Sequence, residues 1–491
     1  MMGMLHHGGA ELTPNAEDAE IIVVNTCSFI DSAKQESVNT ILEMAKHKLA
    51  AGGKARRLIV AGCLVERYRD EIQKNIPEVD AVVGTGELEA ILNAAGLTSS
   101  GHVKNSPFNI LPQTSELVNR APSAVHQHSH PTEIGAQLEI ESTTSRPEGD
   151  AREQSGRFSR ADWDGAAAVL PNYLYSDETP RILTTPRASA YIKIAEGCDH
   201  PCTFCIIPQL RGKFRSRRMG SIIAEAQNLI AQGVREITLI GQDTTCYGED
   251  LGLRDGLAQL LDALAVLPNL RWLRFLYTYP NKVTTRLLET MAKHDTIAKY
   301  LDVPLQHASP AVLKTMKRGG NAQIFLDLIE KARRIVPGIV IRTSFIVGFP
   351  SESETDFELL CDFVRAAEID WLGVFTYSDE EGATAFNLPS ELKVPKRTIE
   401  ARRRKLMKLQ QKISTRSKAA WVDREIDLLV EGPSEETDLL WQGRTPLHAP
   451  EIDGKVLIND FGPHEALVPG TFYRAEITES HDYDVVARIL E

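Results

Sequence analysis

Residues 191–208 read YIKIAEGCDHPCTFCIIP, and how this stretch is read decides the fold. An apolar, strand-like run, Tyr191–Ala195, stops at a glycine. Cys198, Cys202 and Cys205 then follow at C-x3-C-x2-C spacing. Iron–sulfur clusters are held by cysteine thiolates, four of which close a cubane. Three on one short loop leave an iron open to chelate a small cofactor through amino and carboxylate groups. Zinc is the competing reading. Structural zinc takes four ligands, usually in paired units, and no partner pair follows at suitable spacing, so the trio points to an iron–sulfur cluster.

Working outward, strand-like runs recur at Glu236–Ile240, Leu270–Tyr277, Tyr300–Val303, Ile339–Val347 and Leu372–Tyr377, with helical patterns between them. The helix at 221–232 is typical: Ser221 is its expected N-cap and Gly233 its stop. With the cysteine strand this makes six β/α units, a partial parallel barrel whose chemistry belongs at the C-terminal ends of the strands. Gly241, Gln242 and Asp243 follow the second strand there. Arg342 lies inside a strand, where a guanidinium is costly unless paired. Gln306 and His307 end the fourth strand, and His307 reads as a satisfied core group. Cys246 and Cys361 read as small buried residues.

Residues 1–97 alternate Glu20–Val24, Arg57–Ala61 and Ala81–Val83 with helical patterns around 30–49, 64–75 and 87–95. This is the rhythm of a small parallel sheet, an α/β layer. Cys27 and Cys63 each stand just past a strand's C-terminal end, the edge at which open α/β sheets hold ligands. The layer opens on a helical fragment, MMGMLHHGG, where a βαβ unit calls for a strand first, so the first strand is expected upstream of this sequence. Residues 98–169 are rich in Ser, Thr, His, Pro, Glu and Gln and read as a disordered insertion; its His126, His128 and His130 read as a solvated loop. Residues 170–412 carry the barrel. Within them 396–420 is a strongly basic helix, and 413–491 closes with short strands and Gly/Pro turns, a small antiparallel β-barrel.

The words around these cysteines extend the reading. NTCSFIDSAKQES (25–37), AGCLVERY (61–68), PEVDAVVGTGE (77–87), AEGCDHPCTFCIIPQLRGKFRSR (195–217), GQDTTCYG (241–248), LDVPLQHAS (301–309) and RTSFIVGFPSE (342–352) resemble the MiaB/RimO family of radical S-adenosylmethionine methylthiotransferases. Within that family the chain is similar to the branch that modifies a ribosomal protein. The resemblance covers roughly 10–97 and 170–490. It implies a flavodoxin-like N-terminal domain, a radical S-adenosylmethionine barrel and a C-terminal TRAM barrel. It also implies two [4Fe-4S] clusters. Cys198, Cys202 and Cys205 resemble the ligands of the one that cleaves S-adenosylmethionine to the radical that removes a hydrogen from substrate. Gly241, Gln242, Asp243 and Arg342 resemble the residues that contact that cofactor. The auxiliary cluster, from which a methylated sulfur is delivered, takes three N-terminal cysteines. Cys27 and Cys63 match the second and third, and the first belongs to a Gly-Cys-Pro-Lys-Asn turn upstream of the residues given. The implied reaction places a methylthio group on the β-carbon of an aspartate of small-subunit ribosomal protein twelve, with a flavodoxin or ferredoxin as electron donor.

Charge and composition bear on substrate and compartment. An apolar content of 42% with 25% charged residues and no long apolar run suits a soluble protein without a membrane span or secretory signal, so a cytoplasmic monomer is expected. The net charge is −12. Residues 421–491 hold five basic residues (Arg424, Arg444, Lys455, Arg474, Arg488) against sixteen acidic ones, 5 − 16 = −11. RNA binding relies on Lys and Arg neutralising phosphates. An acidic barrel would repel RNA but attract a basic ribosomal protein or the small subunit carrying it. The alternatives are modification of a tRNA adenosine, as in the MiaB branch, and an inactive iron–sulfur ribosome-associated factor.

Overall fold

The computed structural model describes residues 1–97, 173–434, 437 and 439–490. The expected insertion at 98–169, with its three histidines, lies outside the described residues.

The N-terminal layer is a three-stranded parallel sheet, β1 (Ile21–Thr26), β2 (Arg57–Gly62) and β3 (Ala81–Val83), in the order β1-β2-β3. The central strand is apolar along its length because both its faces are covered. Helices α2 (Asp31–Ala45) and α3 (Cys63–Asn75) bury Leu58 and Val60, and on the other face α1 (Met2–His7) and α4 (Ile91–Ala95) bury Ile59 and Ala61. The chain opens on α1, and β1 stands at the sheet edge.

The second layer runs β4 (Ser189–Lys193), a short hairpin β5 (Ala195–Glu196) and β6 (Arg215–Ser216), then β7 (Glu236–Ile240), β8 (Trp272–Phe275), β9 (Tyr300–Asp302), β10 (Val340–Val347) and β11 (Trp371–Thr376). Parallel pairing gives β4-β7-β8 and β9-β10-β11, joined by a Leu273–Ile297 bridge, so six parallel strands curve into the expected partial barrel. The hairpin brackets the cysteine loop. β8 is shorter than its apolar run, which ends on Tyr277 in left-handed backbone at φ 62° and is preceded by Asn269 at φ 67°. The following helices differ in detail from expectation. The one predicted from Ser221 spans Met219–Ala231, and its N-cap is Arg218 without a side-chain cap. Ser221 Oγ instead accepts from Arg217 Nη2 at 3.0 Å and from the Asp177 N–H at 3.1 Å.

The basic helix spans Lys396–Ala419 and leads into β12 (Glu425–Pro433), β13 (Trp441–Arg444), β14 (Val456–Asp460), β15 (Phe472–Ser480) and β16 (Val485–Ile489). These close into a barrel in the order β12-β13-β14-β16-β15. All its neighbours are antiparallel except β14 and β16, which run parallel. The expected antiparallel barrel is corrected in this one pair, since a closed ring of five strands cannot alternate direction all the way round.

This small barrel is seated on the larger one by buried charge. Glu236 and Arg274 have no exposed side-chain surface. Glu236 accepts from Ser189 Oγ at 2.9 Å and from Arg444 of β13. Burial alone would raise the Glu236 pKa, but Arg444 and Arg274 outweigh it and hold the carboxyl below its usual range. Tyr300 donates to Asp453 at 2.6 Å, and the Lys418 ammonium lies 3.6 Å from the Trp371 ring centre and 4.3 Å from that of Trp421. Among the described residues no helix is long and apolar enough to cross a membrane.

Candidate functional site

A cavity of about 530 Å³ opens at the C-terminal ends of the barrel strands, lined by Cys198, Cys202 and Cys205 together with Gly241, Gln242 and Asp243. The loop is shaped by its backbone. The Cys198 N–H donates to the Gly212 carbonyl at 3.2 Å, drawing the loop onto the hairpin, and the Cys205 N–H donates to the Cys202 carbonyl at 3.2 Å. Burial pushes the Cys198 thiol up to about 11 and the Cys205 thiol up to about 12. Three half-buried thiols converge on one cavity with one cationic side chain, Arg318, in hydrogen-bond contact (Nη1 to Cys202 Sγ, 3.6 Å). That donor set fits a cation-rich cluster that would hold all three as thiolates.

The turn after β7 is tied to the same loop. Gln242 Oε1 accepts the Gly197 N–H at 2.9 Å, and its Nε2 donates to Glu196 Oε1 at 3.0 Å. Gly241 has room for a Cβ, the nearest atom being 3.6 Å away, so what places it here is the turn rather than a steric need for glycine. Asp243 is 3% exposed. Its Oδ2 lies 2.6 Å from His200 Nε2 and accepts the Cys246 thiol at 3.1 Å, while Oδ1 accepts the Thr245 N–H at 2.8 Å. Burial would raise this carboxyl, but the bonds from His200, Thr245 and Cys246 hold it below its ordinary range. Cys246 is therefore a half-buried donor to Asp243, which corrects its reading as a mere apolar filler; Cys361 is fully buried, as expected.

Three cavity residues carried no sequence signal. The rings of His200 and Tyr279 stack at 3.8 Å and 10°, and the Arg318 guanidinium sits 4.4 Å from the Tyr279 ring centre. Arg342 does not line the cavity. Its Nη1 donates to Asp302 Oδ1 at 2.8 Å, and Asp302 Oδ2 accepts the N–H of Tyr277, which does line it. His307 is a fully buried core group, pushed down to about 4 by burial, and accepts the Ser309 N–H on Nδ1 at 2.9 Å; its Nε2 is buried with no hydrogen-bond partner among the described residues, so the expected satisfied group is satisfied on one nitrogen. Two arginines of the basic run after the trio, Arg215 and Arg217, are spent internally. Arg217 is 2% exposed and donates to the Lys193 carbonyl and to Glu225, and Arg215 donates to the Lys213 carbonyl.

The second cysteine set stands against this layer. Cys27 follows β1 and is exposed, its carbonyl and N–H both bonded to Ser37 Oγ at 3.0 Å. Cys63 opens α3 after Gly62, whose φ of 105° and 2.5 Å Cβ approach to the Thr26 carbonyl require glycine. Cys63 packs on Ile206 and Leu210, in and just before the helix Ile207–Arg211 that follows Cys205. Burial raises the Cys63 thiol, opposed by the Arg211 guanidinium beside it and augmented by the nearby Cys27. Arg211 Nη1 also lies 3.7 Å from Glu196, so a chain of polar contacts runs from beside the Cys63 thiol to the Gln242 turn. Among the described residues this set comprises two thiols, so it supplies part of a cluster's ligand shell.

Comparison with known proteins places this geometry. The chain matches the Radical SAM superfamily over residues 192–364, the Uncharacterized protein family UPF0004 over 1–84 and the TRAM domain over 422–490. It is 64% identical over 491 residues, 100% of its length and 93% of the relative's, to a "Ribosomal protein uS12 methylthiotransferase RimO" of Koribacter versatilis. A protein of the same name from Solibacter usitatus is 51% identical over 492 residues, covering 100% of this chain and 91% of the relative. Among solved structures, the radical S-adenosylmethionine methyltransferase TsrM of Kitasatospora setae covers 73% of this chain and 61% of its own at 16% identity and a TM-score of 0.45.

Proposed function

Because the chain belongs to the RimO family of ribosomal protein uS12 methylthiotransferases, we propose that it places a methylthio group on the β-carbon of an aspartate of that protein. The cavity holding Cys198, Cys202 and Cys205 is the observation that carries this reading. These thiols would bind a [4Fe-4S] cluster. Such a cluster, together with S-adenosylmethionine, would supply the one-electron chemistry that activates an unreactive C–H bond.

The chain's own residues provide the setting. Asp243 faces the cavity as a carboxylate kept charged by His200, Thr245 and Cys246, suited to an ammonium group. Gly241 and Gln242 fix the turn against the cysteine loop through Gly197 and Glu196. Arg342 supports the rim by orienting Asp302 under the Tyr277 N–H. Tyr277, His200 and Phe29 add ring surface to the cavity wall. Cys27 and Cys63 would hold the second, auxiliary cluster with a further ligand, and Arg211 offers its charge there. The domain division that goes with this reading is 1–97, 98–169, 170–412 and 413–491.

The substrate side rests on charge. Arg444 of the small barrel is buried against Glu236, Arg474 pairs with Glu425 and Asp427, and Arg488 pairs with Glu476. Three of the barrel's five cations are thus paired within it and its charge balance is acidic, which favours a basic protein over RNA. The reading further assigns a cytoplasmic setting, a monomer, and a flavodoxin or ferredoxin as electron donor. Anaerobic incubation with S-adenosylmethionine, a reductant and uS12 tests it: a methylthio mass gain on one aspartyl peptide is expected, and cofactor cleavage with unmodified uS12 would contradict it.

A further inference from the structure

The segment after β11, residues 378–386 (SDEEGATAF), touches both cysteine sets and both layers. Its Ala385 N–H donates to the Thr203 carbonyl, between Cys202 and Cys205, at 2.8 Å. Ala383 is buried with Cys63, Ile206 and Leu210. The Gly382 carbonyl accepts from Gln209 Nε2 at 2.7 Å.

Glu380 carries the segment's reach into the N-terminal layer and is only 2% exposed. Its Oε1 accepts the Asp31 N–H at 2.8 Å and the Ser378 hydroxyl at 2.5 Å. Its Oε2 lies 3.0 Å from Lys34 Nζ and 3.7 Å from Arg67 Nη1. Arg67 returns the contact, donating from Nη2 to the Glu381 carbonyl at 2.8 Å and from Nη1 to the Ser28 carbonyl at 3.0 Å. Helix α2 has Ile30 at its N-cap and no side-chain cap of its own. A free first-turn N–H is therefore satisfied by a carboxylate from another layer, with the charge that a helix N-terminus favours. The residues so fixed, Ser28 to Lys34, follow directly on Cys27 and include the cavity-lining Phe29.

We propose that Glu380 is a positioning residue: it clamps the Cys27 loop against the Cys198–Cys202–Cys205 cavity and so couples cofactor cleavage to sulfur transfer. This rests on the two-site reading above. Each site keeps its own ligands when the clamp opens, so cleavage persists while transfer, which needs both sites in register, fails.

The test uses reconstituted holoenzyme as wild type, Glu380→Ala and Glu380→Gln, with S-adenosylmethionine, reductant and uS12. Deoxyadenosine formation and iron content should be unchanged, while methylthio product per deoxyadenosine should fall roughly a hundredfold in E380A, as misplacement by about an ångström does. The fall should be smaller in E380Q, whose amide oxygen still accepts from Asp31. Independently of turnover, amide exchange at residues 31–34 should speed up in E380A and stay slow in the barrel strands. Product and deoxyadenosine falling in parallel, an unchanged ratio, or unaltered exchange at 31–34 would each overturn the proposal. A wild type that cleaves no cofactor would count against the function instead, and the exchange measurement would still decide the clamp.

Discussion

Replacing Glu236 by Gln removes one charge from the driest contact between the two barrels and leaves the volume unchanged. The carboxylate has no exposed side-chain surface and serves Arg444, Arg274 and Ser189 together. Arg444 retains Glu431 through its Nε at 2.6 Å, but among the described residues Arg274 keeps no other carboxylate within salt-bridge distance. One buried positive charge is thus left uncompensated, which costs about 3–5 kcal/mol. At 1.4 kcal/mol per tenfold, amide exchange in β12 and β13 should accelerate roughly a hundredfold or more in E236Q. The effect has a defined pH dependence. The folded carboxyl is held below its unfolded value, so its contribution is present above the unfolded pKa near 4.5 and is lost as pH falls through the folded value. Wild type and E236Q should therefore converge in acid. Adding Arg274→Met to E236Q should recover part of the loss, because the double variant removes both ends of the pair. A loss below about 1 kcal/mol, the scale of an exposed pair, would refute the claim that this contact is dry.

Other outcomes follow from the site and the seam. Alanine at Cys198, Cys202 or Cys205 should abolish deoxyadenosine formation and remove one cluster's iron on reconstitution, whereas Cys361→Ala should leave both intact, as iron and sulfide analysis will read. Asp243→Asn should weaken S-adenosylmethionine binding by roughly tenfold or more, the worth of a charge-assisted hydrogen bond, in an equilibrium binding assay. Lys418 is fully buried, and burial lowers its pKa to about 8. Its folded value is depressed, so wild-type stability should climb between about pH 8 and the unfolded value near 10.5, while Lys418→Met should lack that climb and be the more stable at pH 7 by about 1–3 kcal/mol in denaturant unfolding.

What could be read in advance was what repeats or sits close together in sequence. The cysteine loop, the six barrel strands and the two cysteines after β1 and β2 follow from periodicity and from the rule that ligands gather at strand C-termini. The end of β8 differs from its apolar run where a single residue, Tyr277, takes left-handed backbone, because an apolar run does not announce its own end. The Ser221 cap failed because a buried arginine, Arg217, claims that hydroxyl. Contacts across the chain left no local trace: the stacking of Tyr279 on His200 and the Glu380–Asp31 bond, 349 residues apart, exist only once the layers meet. Arg342 shows the same limit. Its burial within a strand was foreseeable, but its partner, Asp302, was not.

The central claim is the identity of the substrate, and one experiment addresses it directly. The reconstituted protein, S-adenosylmethionine and reductant are offered uS12 and bulk tRNA in the same reaction, and both are analysed by mass spectrometry. The account predicts a methylthio increment on a single aspartate of uS12 and none on tRNA. A methylthio-adenosine in tRNA beside unmodified uS12 would contradict it.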